Sequence, residues 1–357
     1  MISGISSDSL ILTALSVMMN DIDSILDDFV IQFKQRLLAE SSVADVYFLD
    51  YAWKWFKVYK LPREKNTQFM YQNIISVHLS FLSGKLLKDI RRSDVQEAIN
   101  YAVDRPRTCE LIYLTLKQIL EAAAADHLIS QSVYSDSVRG VVLPKRIKKE
   151  KRPLTDIERK AVKTAVFSPM KNCFVKLLYY TGIRKGEALA LTPEDFDFND
   201  RVLRIRKTLI FIGSGRSEIK ACPKSSNGFR DIPLPADLIE SIFSYVSSCE
   251  GFLFHGSGQG VVLSNANFYR RFWDSILFGL NKAVGYDPFH DSEKPINGLT
   301  AHIFRHDYCT QLCYQVPKIS TKMIARLLGD SEKMVLEVYS HIMLEKENVI
   351  DSIENAR

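Results

Sequence analysis

Residues 181–191 read TGIRKGEALAL, a turn followed by a helix that begins with an arginine. Gly182 closes one apolar helix and Arg184 opens the next, so the guanidinium and the free backbone N–H groups of that helix start can face an anion. A second arginine follows further along the chain, where His302 and Arg305 are spaced three apart on one predicted helical face. Together the two stretches predict helices that present cations to an anionic ligand.

A candidate nucleophile lies downstream of both arginines, at Tyr339 in the stretch EVYSHI. A pentavalent phosphorane gathers negative charge on its non-bridging oxygens, and planar guanidinium groups bind such oxygens bidentately. His302 can donate to the same phosphate or relay the tyrosine proton. Attack by the Tyr339 hydroxyl would form a covalent ester that stores the bond energy, so resealing would need neither metal nor ATP.

The leaving 5′-oxygen has a high proton affinity and needs a general acid. Residues 222–234 read CPKSSNGFRDIPL and place Lys224 beside a predicted strand. Lys220 lies close by and is the alternative donor. We expect Lys224 to be the general acid.

Four stretches in this order resemble the motifs of the tyrosine recombinase (phage integrase) family. They are TGIRKGEALAL, PKSSNGFRDIPLP, LTAHIFRHDYCT and LLGDSEKMVLEVYSHI, spread over about residues 153–345. The resemblance implies that the chain is a site-specific DNA recombinase, which breaks and rejoins two duplexes by strand exchange. A type IB topoisomerase, which shares this chemistry but exchanges no partner sites, is the alternative enzyme.

The resemblance also implies a role for each matching residue. Arg184 and Arg305 would bind the phosphate, and His302 is the histidine of the HxxR box. Lys224 would be the general acid on a β-hairpin, and Tyr339 the nucleophile that becomes 3′-phosphotyrosyl. Glu187 would be the acid that supports the arginine helix.

One position departs from the family pattern. The family usually has Leu-Gly-His before the tyrosine, whereas this chain has Leu328-Gly329-Asp330. An ionised aspartate only accepts hydrogen bonds and repels a phosphate oxygen. Asp330 could still accept or orient the proton of Tyr339, or be a tolerated substitution with a reduced rate. The third alternative is an inactive relative that only binds DNA.

The flanking sequence divides the chain into four parts. Residues 1–41 contain an amphipathic helix with an acidic outer face, and residues 42–137 carry apolar stripes typical of four or five helices. Residues 138–152 form a basic linker, and residues 153–357 combine helices with a small sheet and end in a helical tail. The pattern predicts a mainly α fold with a small β-sheet. The resemblance implies that a helical, SAM-like core-binding domain and a mixed α+β catalytic domain form a C-shaped clamp on DNA.

The basic charge is concentrated in the middle of the chain. The net charge of +5 divides into −4 over residues 1–43, +7 over residues 44–152 and +2 over residues 153–357. A solvated linker would carry such charges, but the clamp implies phosphate contacts, which give salt-sensitive affinity rather than sequence choice. The seven predicted contacts are Arg139, Lys145, Arg146, Lys148, Lys149, Lys151 and Arg152.

Other classes of site and protein are disfavoured. The hydrophobic fraction of 46% over 357 residues excludes disordered and collagen-like chains. Residues 213–216 and 256–260 lack the P-loop and dinucleotide patterns. Residues 302–313 hold two histidines and two cysteines over about 16 Å of helix, too far apart to ligate one zinc ion. We therefore expect no metal or cofactor.

Double-stranded DNA recombination sites are the expected partner. The family resemblance implies a homo-tetramer on two such sites, in which the tail from residue 342 docks on a neighbouring subunit. Accessory DNA-bending or directionality factors are further candidate partners. Six dispersed cysteines and the lack of a secretory signal favour a reducing compartment, so we expect a cytoplasmic, nucleoid-associated protein without a membrane partner.

Overall fold

The computed structural model describes five parts of the chain: residues 45–146, 152–213, 216–221, 228–258 and 260–346. The predicted acidic helix within residues 1–41 lies outside these parts, as does the end of the tail. The chain divides into two compact units between Ile147 and Lys148. Within the described parts, no helix has the length and apolar character to cross a membrane.

The described residues of the first unit are mostly helical. Its α-helices are α1 Phe48–Tyr59, α2 Lys65–Asn73, α3 Arg92–Asn100, α4 Pro106–Ala125 and α5 Gln131–Val138. A π-helical turn, Ile74–His78, continues α2. Two 3₁₀ turns, Ser80–Leu82 and Leu87–Asp89, lead into α3.

Local signals in the sequence explain where these helices begin. Pro106 occupies the first turn of α4, where its missing N–H has no intrahelical partner to lose. The Ser130 hydroxyl caps α5 by accepting the Val133 N–H at 3.3 Å. The apolar stripes of α1 and α4 form one buried core that includes Phe48, Trp55 and other large side chains. These aromatic residues therefore serve the packing of the unit.

Most of the described helices lie in the second unit. They are α6 Asp156–Thr164, α7 Pro169–Thr181, α8 Lys185–Leu189, α9 Ala236–Ser247, α10 Asn265–Asn267, α11 Asp274–Ala283, α12 Ala301–Cys313, α13 Thr321–Leu328 and α14 Glu332–Lys346. A π-helical segment, Phe268–Trp273, joins α10 to α11. Helix α6 begins at a reciprocal capping box that Thr155 and Glu158 form.

In the described part of this unit, five short strands accompany these helices: β1 Phe196–Asp197, β2 Val202–Ile205, β3 Thr208–Ile212, β4 Arg216–Lys220 and β5 Arg230–Pro233. An antiparallel sheet has the order β1-β2-β5, and β3 pairs with β4 in a hairpin. The alternating run of residues 202–212 is thus two strands in different sheets, separated at Arg206 and Lys207. The predicted mainly α fold with a small β-sheet is confirmed.

Helix α12 contributes to two apolar cores formed by described residues of the second unit. Phe304 is fully buried in the larger core, where Phe174 packs edge-on against Phe254 at 5.0 Å. Cys309 and Cys313, further along α12, are buried in a smaller core with residues of α13 and α14. Because α12 is fixed on both sides, the residues between Phe304 and Cys309 have a firmly supported backbone.

Candidate active site

Two glycines let the turn between α7 and α8 pack closely against its neighbours. Gly182 ends α7 with a left-handed φ of +60°, and a Cβ there would lie 2.5 Å from the Tyr308 ring. Gly186 lies in α8, and a Cβ there would lie 2.5 Å from the Leu209 carbonyl oxygen of β3. Only glycine fits both places. The close packing sets the position of Arg184 at the start of α8.

Arg184 is held by the acid three residues later. The Glu187 carboxylate accepts the Arg184 backbone N–H at 2.9 Å and its Nη1 at 3.0 Å. That backbone N–H is therefore used within the chain and is not among the free N–H groups of the helix start. The reason is the capping-box geometry of the short helix, in which the third residue reaches back to the residue before the first turn.

A second arginine, which is fully buried, also binds the Glu187 carboxylate. Arg230 of β5 donates Nη2 to Glu187 Oε2 at 2.6 Å and Nη1 to Oε1 at 3.1 Å, and its side chain is 1% exposed. Burial alone would raise the pKa of Glu187, but the hydrogen bonds and charge of Arg230, aided by Arg184, hold it below its ordinary value. Glu187 therefore remains ionised between two guanidinium groups.

Arg305 of α12 lies beside Arg184, and Asp330 joins them. Asp330 Oδ1 accepts from Arg184 Nη2 and Asp330 Oδ2 accepts from Arg305 Nη2, both at 2.5 Å. Arg305 also donates Nη1 to the Gly182 carbonyl oxygen at 3.0 Å. We call Arg184 and Arg305 the arginine pair.

The end of α13 binds all three arginines through its backbone. Successive carbonyl oxygens accept one arginine each: Leu327 from Arg230 Nε at 2.7 Å, Leu328 from Arg305 Nη2 at 2.5 Å and Gly329 from Arg184 Nη2 at 2.8 Å. The last carbonyls of a helix have no intrahelical partners and carry the negative end of its dipole. This helix end therefore positions the guanidinium groups and compensates part of their charge.

Burial and the neighbouring charges shift the pKa values of Arg305 and Asp330. Burial and the like charge of Arg184 lower the pKa of Arg305, while Asp330 and Glu187 oppose this change. Burial would raise the pKa of Asp330, but the charge and hydrogen bond of Arg305, followed by those of Arg184, hold it below its ordinary value. Asp330 is therefore an anion at neutral pH and stabilises the charge of Arg305.

The sequence profile of the phage integrase family matches residues 159–345, which include all of this geometry. The chain belongs to the phage integrase family. The resemblance found from the four motifs is thereby confirmed.

Individual proteins similar to this chain include a prophage integrase and a tyrosine recombinase. The prophage phiRv2 integrase of Mycobacterium tuberculosis is 29% identical over 197 residues, which cover 55% of this chain and 50% of the relative. The chain thus spans about half the length of this prophage relative. A tyrosine recombinase XerC-like protein of Caldanaerobacter subterraneus is 23% identical over 347 residues, covering 87% of this chain and 83% of the relative.

Solved structures of low identity share the fold. The Tn1549 transposon integrase in complex with transposon right end DNA has a TM-score of 0.64 at 18% identity, covering 84% of this chain and 99% of that one. A lambda integrase tetramer bound to a Holliday junction has a TM-score of 0.58 at 20% identity, covering 82% and 76%. The similarity supports the fold that we describe.

Two of the other predicted site residues lie on described helices of the second unit. His302 is exposed in the first turn of α12, and its ring lies edge-on to His306 at 4.5 Å between centroids. Tyr339 is half-buried in α14 and packs against the smaller core. Lys224 lies outside the described residues, between β4 and β5, while Lys220 ends β4.

The predicted linker contacts fall into three groups. Arg139 and Lys145 are exposed. Arg146 pairs with Glu110 at 3.2 Å, and Arg152 holds Glu158 through two hydrogen bonds of 2.6 and 2.8 Å. Those two charges are partly compensated within the chain. The remaining three predicted contacts lie outside the described residues: Lys148, Lys149 and Lys151.

Two site-supporting residues were missed from sequence. Arg230 lies in the motif PKSSNGFRDIPLP, and its place as an arginine within a predicted strand is the signal that could have indicated a role. Asp307, 3% exposed, accepts Arg159 Nη2 at 2.6 Å and the Leu154 N–H at 3.3 Å, and so joins α12 to α6. Among the described residues, no three His, Cys, Asp or Glu side chains form a group that could hold a metal ion.

Proposed function

We propose that this protein is a site-specific DNA recombinase that cleaves and rejoins DNA through a 3′-phosphotyrosyl intermediate at Tyr339. Its biological role would be integration or excision of a phage or another mobile element. The observation that carries the proposal is the arginine pair, two guanidinium groups converging on one anion in a chain of the phage integrase family. Such a pair matches the two non-bridging oxygens of a phosphodiester.

The reaction would follow from the chemistry of these groups. Arg184 and Arg305 would bind the scissile phosphate and stabilise the negative charge that develops on it. The Tyr339 oxygen would attack phosphorus, and the bond to the 5′-oxygen would break. Lys224 would protonate that oxygen, and His302 would donate to the phosphate or relay the tyrosine proton. Attack by a 5′-hydroxyl on the phosphotyrosine reverses these steps and seals a strand.

DNA binding would involve both units. Residues 42–137 would form the core-binding domain and residues 153–357 the catalytic domain, joined by the basic linker 138–152. Exposed cations such as Arg139 and Lys145 would contact phosphates and supply salt-dependent affinity. Four subunits on two sites would complete the assembly, as in the lambda integrase tetramer on a Holliday junction. Action on chromosomal DNA would place the protein in the cytoplasm with the nucleoid.

Strand exchange between two plasmid-borne sites tests the proposal. Each plasmid would carry DNA that flanks the gene, and the purified full-length protein would be added without metal or ATP. We expect recombinant plasmids with the wild type and none with Tyr339→Phe. Tyr314→Phe is the matched control, because this tyrosine is exposed just after α12 and has no proposed role; it should recombine like the wild type.

Two other results would contradict the recombinase. Relaxation of supercoils without recombinants would identify a type IB topoisomerase. DNA binding with neither relaxation nor recombination would identify a catalytically impaired binder. The binder is favoured by one observation, the occupation of the arginine pair by the Asp330 carboxylate.

A further inference from the structure

Asp330 lies on the side of the arginine pair that opens to solvent. The side chains of Arg184 and Asp330 are 36% and 32% exposed, whereas that of Arg305 is 4% exposed. The buried sides of the guanidinium groups are taken by Glu187 and by backbone carbonyl oxygens. An anion that arrives from solvent therefore meets the pair where Asp330 already lies.

The contact of Asp330 has the form of a phosphate contact. One carboxylate gives one oxygen to each guanidinium, so a single anion bridges two cations. A phosphodiester would bridge them in the same way with its two non-bridging oxygens. We propose that Asp330 is an internal anion that occupies the phosphate position of the arginine pair, and that a DNA phosphate binds there only by displacing the Asp330 carboxylate. This inference rests on the proposed function of the pair.

The charges favour displacement over joint binding. The ion pairs among the described residues connect three guanidinium groups with two carboxylates, which together carry one net positive charge. A phosphate bound beside an intact Asp330 would cancel that charge and face a second anion at close range, where repulsion is strong. With the carboxylate turned away, the phosphate meets both arginines without that opposition.

Rotation of the Asp330 side chain would vacate the position without moving its backbone. The Asp330 backbone N–H donates to the Ala325 carbonyl oxygen at 3.0 Å, and Gly329 before it is left-handed with a φ of +66°. These contacts hold the backbone of Asp330 and do not involve its carboxylate. Helix α14 begins two residues later at Glu332 and carries Tyr339. Displacement of Asp330 would therefore take place at the foot of the helix that bears the proposed nucleophile.

Titration with inorganic phosphate at low ionic strength tests the inference on the full-length protein. Asp330→Asn keeps the shape and the hydrogen-bond acceptor but removes the charge. We expect this variant to bind phosphate about tenfold or more tightly than the wild type. Adding Arg184→Ala to Asp330→Asn should abolish the gain in phosphate affinity, which would show that the phosphate binds at the arginine pair.

The matched control is Asp231→Asn. It removes the same charge from an exposed ion pair with Arg206, on the strand face opposite to Arg230, and should bind phosphate like the wild type. Asp330→His serves as a second variant if Asp330→Asn does not fold, and the same gain is expected. The inference is wrong if neither Asp330 variant binds phosphate more tightly, if Asp231→Asn gains equally, or if the gain survives Arg184→Ala.

Phosphate binding requires no cleavage of DNA, so this result is separate from that of the strand-exchange assay. A gain in phosphate affinity without recombination would uphold the internal anion and refute the recombinase. Recombination by a wild type whose phosphate affinity matches that of Asp330→Asn would uphold the recombinase and refute the internal anion.

Discussion

At the scale of single residues, the arginine pair depends on acids that hold it from two sides. Glu187 supports Arg184 from the protein interior through an ion pair with buried Arg230, and Asp330 bridges the solvent side. The positions of Arg184 and Arg305 were predictable, because each lies in a helical motif of local spacing. The Glu187–Arg230 pair was not, since it joins residues 43 positions apart and depends on where β5 lies in the fold.

Glu187→Gln should destabilise the protein. It leaves Arg230 buried without a full counter-charge, which costs about 3–5 kcal/mol. The depressed pKa of Glu187 gives stability that is present above its unfolded pKa of about 4.3 and is lost as pH falls through its lower folded pKa. The difference in the free energy of unfolding between wild type and variant, measured by urea denaturation, should therefore be largest near neutral pH and shrink in acid.

Asp231→Asn is the control for this measurement. Its ion pair with Arg206 is exposed on both sides, so its loss should cost at most about 1 kcal/mol. Equal losses in the two variants, or a Glu187→Gln effect that grows as pH falls below 4, would contradict this account of the buried pair.

At the scale of elements, two helix ends converge on the arginines. The turn after α7 supplies the Gly182 carbonyl oxygen to Arg305, and the end of α13 supplies three more to the arginines. The sequence indicated the first turn through Gly182, and both turns contain a left-handed glycine. It could not indicate that these ends meet, because α7 and α13 are far apart in the chain. The sequence also did not indicate the break between β2 and β3, because the residues of the two strands continue one alternating pattern.

Gly182→Ala should damage the fold and the arginine pair together. The left-handed φ costs about 1–2 kcal/mol for an alanine, and the contact with Tyr308 adds about 1–3 kcal/mol of overpacking. The loss should appear as a lower denaturation midpoint. Gly298→Ala isolates the first contribution, because its φ is +70° and a Cβ there would meet nothing within 4 Å. If Gly182→Ala were no more destabilising than Gly298→Ala, the close packing of this turn would not matter.

At the scale of the whole molecule, the chain joins a helical unit to a unit that carries the arginine pair. The net charge of +5 conceals a basic middle third that includes the linker. Composition and apolar patterning predicted the helical first unit and the mixed second one, since both depend on local periodicity. Which linker cations are compensated within the chain could not be predicted, because the partners of Arg146 and Arg152 depend on the folded units.

Removing the linker charges should weaken the salt dependence of DNA binding. Each lost phosphate contact reduces the slope of log K against log salt by about 0.9. The variant with alanine at Lys145, Arg146, Lys148 and Lys149 should therefore lose about 2–4 from the slope, the range allowing for the ion pair of Arg146. Fluorescence anisotropy with a labelled duplex of flanking DNA, at several salt concentrations, measures it.

A charge-matched control replaces four exposed lysines of the second unit with alanine: Lys160, Lys163, Lys282 and Lys294. It should lower affinity less and leave the slope nearer to that of the wild type. An unchanged slope in the linker variant would show that these side chains are solvated rather than bound to phosphates.

The central claim is covalent attack by one tyrosine on a phosphate held by the arginine pair. Incubation of the full-length protein with nicked duplexes that tile the DNA flanking the gene would trap the intermediate, and mass spectrometry of the digested adduct would locate the bond. We predict a denaturant-resistant adduct on Tyr339 that is lost in Tyr339→Phe and retained in Tyr314→Phe. An adduct on another residue, or none from any duplex that the protein binds, would contradict the claim.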